Sequence, residues 1–334
     1  METMTPSSFG TRARMRFLRA LGPPMILVLV VCAIWSIARL TGADQIPLLA
    51  RPLIPLLAFT PYAALISIVP AIWAAALRHW TAFGVAMAVV SAFSLAVLPR
   101  AVDDSTPAAK GPLVRVLTAN LRLGNADPQV LVNLVRRSHA DVLSLQEFTF
   151  QAAVRLDKAG LGALLPYKVA APAASGALGS GIYARYPLRA LPMPDVAVVG
   201  LAMPRAEVDL PGGGRVEVMA VHMARPVNLP GVAQWALGLA AVPVAEPHTT
   251  VRIVAGDFNG TLDNARVRRL IGAAYVDAAD AVGTGLVPTF QKWGWPPITI
   301  DHVLVDARCA VRHVAVYDLP RSDHRAVFAE LRLP

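Results

Sequence analysis

The chain has 334 residues, of which 55% are hydrophobic and only 16% are charged. Soluble globular domains carry about 25% charged residues, so this composition excludes both a disordered chain and a single soluble globule. The formal net charge is +9, and the first 100 residues, which hold only ten charges, contribute most of the excess. A membrane segment followed by a soluble domain accounts for this distribution.

Three uncharged stretches dominate the first part of the chain, and they cover residues 20–38, 52–77 and 80–99. Each is long enough for a bilayer core of ~30 Å, which takes roughly 20 helical residues. The second stretch contains four prolines, so it is expected to be kinked or to begin with an interfacial turn. The sequence therefore predicts a membrane domain over residues 1–100 with three transmembrane helices.

Basic residues set the predicted orientation of these helices. Four arginines stand just before the first stretch: Arg12, Arg14, Arg16 and Arg19. Such residues stay on the cytoplasmic side, so after three crossings the soluble domain of this multi-pass membrane protein is expected outside the cell. Residues 1–38 also fit a cleaved signal peptide. That alternative leaves the domain on the same side, because the two remaining helices form a hairpin.

Residues 101–112 contain Asp, Ser, Pro and Gly and are expected to form an exposed linker. Beyond them, short apolar runs of strand type alternate with stretches of helical periodicity. The predicted strands cover residues 113–120, 141–146, 181–186, 206–210, 215–222, 250–256, 298–305, 311–317 and 325–333. The predicted helices cover residues 128–139, 150–162, 231–242 and 264–271. This mixture predicts an α/β or α+β domain over residues 113–334, with one substantial core.

Polar side chains close, interrupt or precede several of the predicted strands. They are Asn120, Glu147, His222, Asp257, Asn259, Asp301, Asp323 and His324. Catalytic groups gather on the loops that meet strand ends, because a rigid sheet positions them there. We therefore expect these acidic, amide and imidazole groups to converge at one edge of a sheet.

Eight short motifs follow one another along the soluble part. They read Leu-Thr-Ala-Asn120, Leu-Ser-Leu-Gln-Glu147, Ser180-Gly-Ile-Tyr, Val-His222, Gly-Asp257-Phe-Asn259, Thr289-Phe290, Ile-Asp301-His302 and Ser-Asp323-His324. In this order they resemble the endonuclease/exonuclease/phosphatase superfamily, which has the DNase I-like fold. The resemblance covers residues 113–333 and implies an α/β fold of four layers, an α/β/β/α sandwich with two packed sheets and outer helices.

The resemblance implies a divalent metal ion. Glu147 is the expected main ligand, Asn120 lies beside it, and Asp323 supports the metal shell. Oxygen ligands without cysteine suit Mg²⁺, with Mn²⁺ as the alternative. The chain is thus expected to be a Mg²⁺-dependent hydrolase of phosphoric ester or anhydride bonds.

The resemblance also implies catalytic roles for five residues. Asp257 is expected to orient or deprotonate the attacking water, and Asn259 to hold a phosphate oxygen. His222 would stabilise negative charge on the phosphoryl group. His324 would act as general base or phosphate contact, with Asp301 fixing the tautomer of its imidazole.

The fold leaves the substrate open. The soluble part is close to charge balance and has no dense basic run after a motif, so nucleic acid is not expected as an obligatory partner. No protein partner is evident either. An apolar loop over residues 293–297 precedes Asp301, and its Trp293 and Trp295 either dip into the membrane interface or pack on the sheet edge.

The predicted arrangement of three helices before such a domain resembles the VanJ-like membrane-anchored members of the superfamily. That resemblance implies hydrolysis of a polyprenyl pyrophosphate, such as undecaprenyl pyrophosphate, in cell-wall lipid-carrier recycling and teicoplanin resistance. The expected partners are therefore a lipid pyrophosphate, or another phosphate-containing substrate, and the membrane lipids. A surface nuclease, a phospholipid phosphodiesterase and an inactive binding module are the alternatives.

Overall fold

The structure is a computed structural model that describes residues 22–104, 107–246 and 249–334. The four arginines used to orient the first helix, and the first two residues of the predicted stretch 20–38, lie outside the described residues. The chain divides into two units. A helical unit takes the residues up to Ala43 and residues 59–98, and a sandwich unit takes residues 44–58 and 99–334.

From Gly22, where the described residues begin, four helices precede the sheets. They are α1 (Gly22–Thr41), α2 (Pro47–Leu57), α3 (Thr60–Ala76) and α4 (Trp80–Val97). Among the described residues, α1 and α4 with its 3₁₀ extension to Ala101 are long and apolar enough to cross a membrane. Helices α2 and α3 pass the same test only together, as a pair bent by 80°. Helix α3 by itself has 17 residues, just short of the length that this test takes for a span.

The predicted stretch 52–77 is not one straight helix. Helix α2 ends at Leu57, and α3 begins after two further residues. Pro61 occupies the first turn of α3, where the missing backbone N–H breaks no helical hydrogen bond. The two helices also belong to different units, α2 to the sandwich unit and α3 to the helical unit.

Small and apolar side chains make the contacts inside the helical unit. Cys32, Ala86 and Phe93 are buried there, and the indole N–H of Trp35 donates to the hydroxyl of Thr60 at 3.1 Å. Many of the large apolar side chains of α1, α3 and α4 are exposed. An apolar outer surface of this kind suits helices that face lipid.

The described part of the sandwich unit contains twelve strands. They are β1 (Leu113–Asn120), β2 (Val142–Gln146), β3 (Tyr167–Ala171), β4 (Ser180–Ala184), β5 (Leu188–Leu191), β6 (Arg205–Asp209), β7 (Arg215–His222), β8 (Val251–Asp257), β9 (Tyr275–Asp277), β10 (Asp301–Asp306), β11 (Ala310–Tyr317) and β12 (Ala326–Arg332). The helices between them are α5 (Pro128–Arg137), α6 (Phe150–Lys158), α7 (Leu161–Leu164), α8 (Val196–Val199), α9 (Leu229–Ala240), α10 (Ala265–Ala274) and α11 (Ala278–Ala281).

The strands form two six-stranded sheets. The first has the order β11-β12-β1-β2-β4-β3 and the second the order β5-β6-β7-β8-β10-β9. Strands β1 and β2 run parallel at the centre of the first sheet, as do β7 and β8 in the second. The other neighbours are antiparallel. Each parallel pair therefore brings two carboxyl-terminal strand ends together.

Three apolar cores hold the layers together. Branched side chains such as Val116 and Val218 are fully buried between the two sheets. The other face of the first sheet packs against α5 and α6 through Leu131 and Leu156. The second sheet packs against α9 and α10, where Trp235 is fully buried. The two-sheet α/β fold expected from the resemblance is confirmed.

Candidate active site

The polar residues predicted to be functional lie at one edge of both sheets, which we call the polar edge. In the first sheet, Asn120 at the end of β1 pairs with Gln146 at the end of β2. In the second sheet, Asp257 at the end of β8 pairs with His222 on one side and with Asp301 on the other. The strand registers thus place these side chains together.

One glycine is required for this convergence. Gly256 precedes Asp257 and has a φ of 153°. A Cβ atom there would lie 1.9 Å from the carbonyl oxygen of Val221 on the neighbouring strand and 2.9 Å from the amide nitrogen of Gln146. Only a residue without a side chain permits this close approach of the backbone, so the glycine of the Gly-Asp-Phe-Asn motif has a packing role.

Glu147 is buried at the polar edge, and its backbone has a left-handed φ of 52°. Its Oε2 accepts a hydrogen bond of 2.6 Å from the backbone N–H of Leu123, and its Oε1 lies 3.5 Å from the amide nitrogen of Asn120. Leu123 and Asn259 are left-handed as well. Non-glycine residues are strained in this region, and such strain concentrates at functional sites.

Asp257 lies at the centre of the site. Its Oδ1 accepts from the backbone N–H of Asn259 at 2.8 Å, and its Oδ2 accepts from the side-chain amide of Asn120 at 3.0 Å. The Nε2 atoms of His222 and His324 lie 3.7 and 3.8 Å from the same Oδ2. Burial raises the pKa of Asp257 above its ordinary value. A raised pKa makes this carboxylate a better proton acceptor.

His324 and Asp301 form a buried pair. The imidazole Nδ1 lies 2.9 Å from Oδ2 of Asp301, and this oxygen also accepts from the hydroxyl of Thr289 at 2.7 Å. The ring of Phe290 packs against the imidazole with 4.8 Å between centroids. Burial lowers the pKa of His324, but the carboxylates of Asp301 and Asp257 outweigh burial and raise it to about 9. The ring is therefore cationic at neutral pH and can donate from Nε2.

His222 has the opposite electrostatic state. Burial lowers its pKa, and the nearby carboxylates do not compensate. Its Nδ1 lies 3.1 Å from the carbonyl oxygen of Ala177, which can only accept, so Nδ1 carries the proton. The Nε2 atom faces Asp257 and lies 4.0 Å from Oε1 of Glu147. The two histidines of the site thus differ in charge and in whether the Nε2 atom that faces Asp257 carries a proton.

Asn259 and Asp323 complete the set of predicted residues. The amide of Asn259 donates to the carbonyl oxygen of Met223 at 2.8 Å and lies 3.3 Å from Oδ2 of Asp257. Asp323 borders the site, and its carboxylate, which is 25% exposed, lies 3.8 Å from the guanidinium of Arg122. Its negative charge also contributes to the raised pKa of His324.

Two arginines at the polar edge were not predicted from the sequence. Arg225 lies 3.2 Å from Oε1 of Glu147 with 60% of its side chain exposed, and Arg122 faces Asp323 with 54% exposed. Each is the first charged residue after a strand-end motif, Arg122 after Asn120 and Arg225 after the histidine of β7. That position in a loop is the signal by which they could have been found.

The donor set fits a divalent cation. Within the described residues, ligand atoms of Asp257, Asp301 and His324 lie within 4.8 Å of one another and could hold an ion. Two members of this group already bond to each other, and the cationic imidazole of His324 would have to lose a proton before it could bind an ion. Glu147 and Asn120 supply a further carboxylate and amide beside them. Buried oxygen donors of this kind suit Mg²⁺ or Mn²⁺.

Comparison with known families identifies the class of protein that this fold and edge define. The Endonuclease/Exonuclease/phosphatase family matches residues 117–324, more than half of the chain. The chain therefore belongs to this family of phosphoesterases and nucleases, as the ordered motifs predict.

Solved structures of low identity share the fold. Truncated TDP2 from Caenorhabditis elegans is 17% identical with a TM-score of 0.53, and the alignment covers 67% of this chain and 99% of that one. TDP2 from D. rerio, complexed with single strand DNA product, is 15% identical with a TM-score of 0.51. This alignment covers 66% of this chain and 98% of that one. A functionally unknown conserved protein from Enterococcus faecalis V583 is 15% identical with a TM-score of 0.51, and the alignment covers 66% of this chain and 100% of that one. No curated protein sequence matches the chain.

Proposed function

We propose that this chain is a membrane-anchored, divalent-metal-dependent phosphohydrolase that cleaves a polyprenyl diphosphate such as undecaprenyl pyrophosphate. One observation carries the proposal: this chain contains both a domain of a phosphoesterase family, with its polar edge, and two helices of membrane-spanning length. A membrane tether raises the effective concentration of lipid substrates and gives little advantage with a diffusing nucleotide. The resemblance to VanJ-like members supports a role in lipid-carrier recycling and teicoplanin resistance.

The mechanism follows from the charges at the polar edge. A divalent ion at Glu147 and Asn120 would neutralise phosphate charge and polarise the bond to be cleaved. Asp257 accepts a proton from the attacking water, which its raised pKa favours. The cationic His324 donates to a phosphate oxygen and is held in place by Asp301.

The remaining predicted residues surround the phosphoryl group. The amide of Asn259 lies beside the proton-accepting carboxylate and can donate to a phosphate oxygen. His222 is neutral and its unprotonated Nε2 faces the same carboxylate, so it can donate to a phosphate oxygen only after it takes up the proton that Asp257 removes from the water. Donors preorganised in a buried site stabilise such charge more than they would in water.

A direct comparison of substrates tests the proposal. The purified full-length protein with Mg²⁺ would be given undecaprenyl pyrophosphate in vesicles, sphingomyelin in vesicles and plasmid DNA. We expect release of inorganic phosphate from the diphosphate at the highest rate. Preferential cutting of DNA would instead identify a surface nuclease, and cleavage of sphingomyelin a phospholipid phosphodiesterase.

Arg225→Ala is expected to raise KM for the diphosphate roughly tenfold, because one hydrogen bond to a charged group is worth about 1.5 kcal/mol. The side chain is largely exposed and pairs with Glu147 from the solvent side, so the thermal midpoint should stay nearly constant. Steady-state kinetics and thermal unfolding check both expectations.

Arg215→Ala is the matched control for this variant. Arg215 is similarly exposed but begins β7, at the opposite edge of the sheet from His222. We expect its KM to equal that of the unsubstituted chain. Equal KM values for both variants would show that Arg225 does not contact the substrate.

The division of the chain into units restricts its membrane topology. Residues 44–58 and 99–334 belong to one unit, so both must lie on one side of a membrane. Helices α3 and α4 then cross twice or not at all. They have 17 and 18 residues, or roughly 26 Å each at 1.5 Å per residue, which is close to a bilayer core. We propose two crossings, which leave α1 to determine the side of the sandwich unit.

Reporter fusions test the proposed orientation. Alkaline phosphatase, which is active only outside the cytoplasm, should be active when fused after Leu333 and silent when fused at Arg78. The arginines before the first helix keep the N-terminus inside, so one crossing by α1 places the sandwich unit outside. The opposite pattern of activity would overturn this assignment and place the substrate in the cytoplasm.

A further inference from the structure

We infer that the polar edge of the sandwich unit rests against the lipid surface, held there by α2 as an interfacial helix. The inference relies on the membrane anchoring in the proposed function and adds which face of the unit meets the bilayer. Its consequence is that the site takes phosphate groups at the depth of the lipid headgroups. The partner is therefore a phospholipid surface rather than a second protein.

The sandwich unit receives the chain from both membrane-length helices at one loop. Asp44 follows α1 by three residues, and its Oδ2 accepts from the backbone N–H of Ala265 at 2.9 Å. Arg100 follows α4 by three residues and makes two hydrogen bonds to Asp263, of 2.8 and 2.6 Å. Asp44, Arg100 and Asp263 are all buried. The chain thus comes into the unit at two points, and both are fixed to residues 263–265.

This attachment loop continues directly from the polar edge. It begins after Asp257 and Asn259, and the side chain of Asn264 accepts from the backbone N–H of Thr261. The same amide donates to the carbonyl oxygen of Ile54 in α2 at 3.0 Å. The segment that holds Asp44 and Arg100 and the segment that carries catalytic groups are therefore one loop.

The short segments that connect α1 and α4 to the sandwich unit limit how this unit can be oriented at a membrane. The segments that lead to α1 and α4 leave the sandwich unit at Asp44 and Arg100, beside residues 263–265, and three residues span at most about 10 Å. The start of β7 lies at the opposite edge, seven residues or roughly 23 Å from its polar-edge end. If α1 and α4 end at the lipid surface, the polar edge is the side of the unit that faces it.

Helix α2 has a buried apolar face and an outward face on which Arg51 is the one charged residue. Ala50 and Ile54 are buried in the core that contains Trp235, while Leu48 is 86% exposed and Leu56 is also exposed. Helices at the surface of a soluble unit normally present polar residues outward. Lipid is the occupant that the chain itself indicates, since α2 continues into the apolar helix α3 after two residues. An interfacial helix buries one face in protein and one in the headgroup region.

A second exposed apolar segment, the loop between Phe290 and Ile298, extends from the polar edge. Phe290 bridges to both Ile298 and His324, so the loop between Phe290 and Ile298 starts beside the catalytic imidazole. Trp293 in this loop is 97% exposed and follows Lys292. Tryptophan favours the membrane interface, and a neighbouring lysine can reach lipid phosphates.

Spin-label depth measurements test the orientation without reference to activity. Leu48→Cys and Trp293→Cys would be labelled in the full-length protein in phospholipid vesicles, with Arg215→Cys as the control at the opposite edge. Cys32 and Cys309 are buried, so the unsubstituted chain gives the background labelling. We expect the labels at 48 and 293 to collide more with oxygen and less with a water-soluble nickel chelate than the label at 215.

Two results would overturn the inference. Equal nickel accessibility at all three positions would place the polar edge in water. Labels at 48 and 293 shielded from both oxygen and nickel would identify a protein interface, such as a second copy of this chain.

A kinetic comparison provides the functional readout. Trp293→Ser should lower turnover of the diphosphate in vesicles about tenfold and leave hydrolysis of bis-p-nitrophenyl phosphate in water unchanged. Val154→Ser, an exposed apolar residue of α6, is the matched control and should change neither rate. Equal loss on both substrates, or no loss, contradicts the surface role. A wild-type chain that cleaves only the soluble ester would reject the proposed lipid substrate, while the depth measurement would still decide the orientation.

Discussion

Glu147→Gln is expected to abolish turnover while the protein remains folded. The substitution keeps the size of the side chain and its oxygen acceptor for the backbone N–H of Leu123. It removes the negative charge that would hold the divalent ion. Stabilisation of phosphate charge by a metal is worth several kcal/mol, so we expect a loss of at least about 10³-fold. Phosphate release and thermal unfolding of the same preparations measure the two effects.

Glu330→Gln is the control for this variant. Glu330 lies in β12 and pairs with Arg115 on the surface, away from the polar edge. It should retain normal activity. The unsubstituted protein should lose activity in EDTA and regain it with Mg²⁺ or Mn²⁺. Full activity in EDTA would refute the metal mechanism, and unfolding of Glu147→Gln would make this carboxylate structural.

The polar edge could be predicted from the sequence because its residues follow buried strands. The runs that end at Asn120 and His222 are apolar and β-branched, and they become central strands with nearly every residue buried. A polar group directly after such a run must lie at a sheet edge. The pairing of His222 with Asp257 follows from the register between β7 and β8. The order of the motifs along the chain does not reveal this register without the family resemblance.

Three strands escaped prediction, and all of them are edge strands. Strands β3, β5 and β9 lie at the borders of the two sheets. They have only five, four and three residues, too few to show the alternating pattern used to recognise strands. An edge strand is defined by its partner across the ladder, which a single sequence does not reveal.

The sequence predicts a kink or an interfacial turn in the second apolar stretch, but not which part of it packs against protein. Its 26 uncharged residues satisfy the length rule for a membrane helix. The helix that contains its first part instead packs Ala50 and Ile54 into the core beneath α9 and α10. A helix buried in protein and a helix buried in lipid have the same composition, so only tertiary contacts such as that of Asn264 with Ile54 distinguish them.

His324→Gln is expected to lower kcat by roughly 10²–10⁴, the range for loss of a general acid–base group. Glutamine can still donate to Asp301, which otherwise would remain buried without its cationic partner. Removing that partner entirely, as in His324→Ala, would destabilise the fold and obscure the kinetic effect. Asp301→Asn should cost less in kcat if, as proposed, Asp301 acts by orienting the imidazole.

The pH dependence of stability provides an independent check on this assignment. The folded pKa of His324 is raised to about 9, above the value of about 6.5 for an unfolded histidine. Its contribution to stability is therefore complete below about pH 6.5 and is lost as the pH rises through about 9. In EDTA, the thermal midpoint of the wild type should fall over this interval more than that of His324→Gln. Parallel curves would contradict the cationic state. A folded His324→Gln with near-normal turnover would mean that Asp257 activates the water without help from this imidazole.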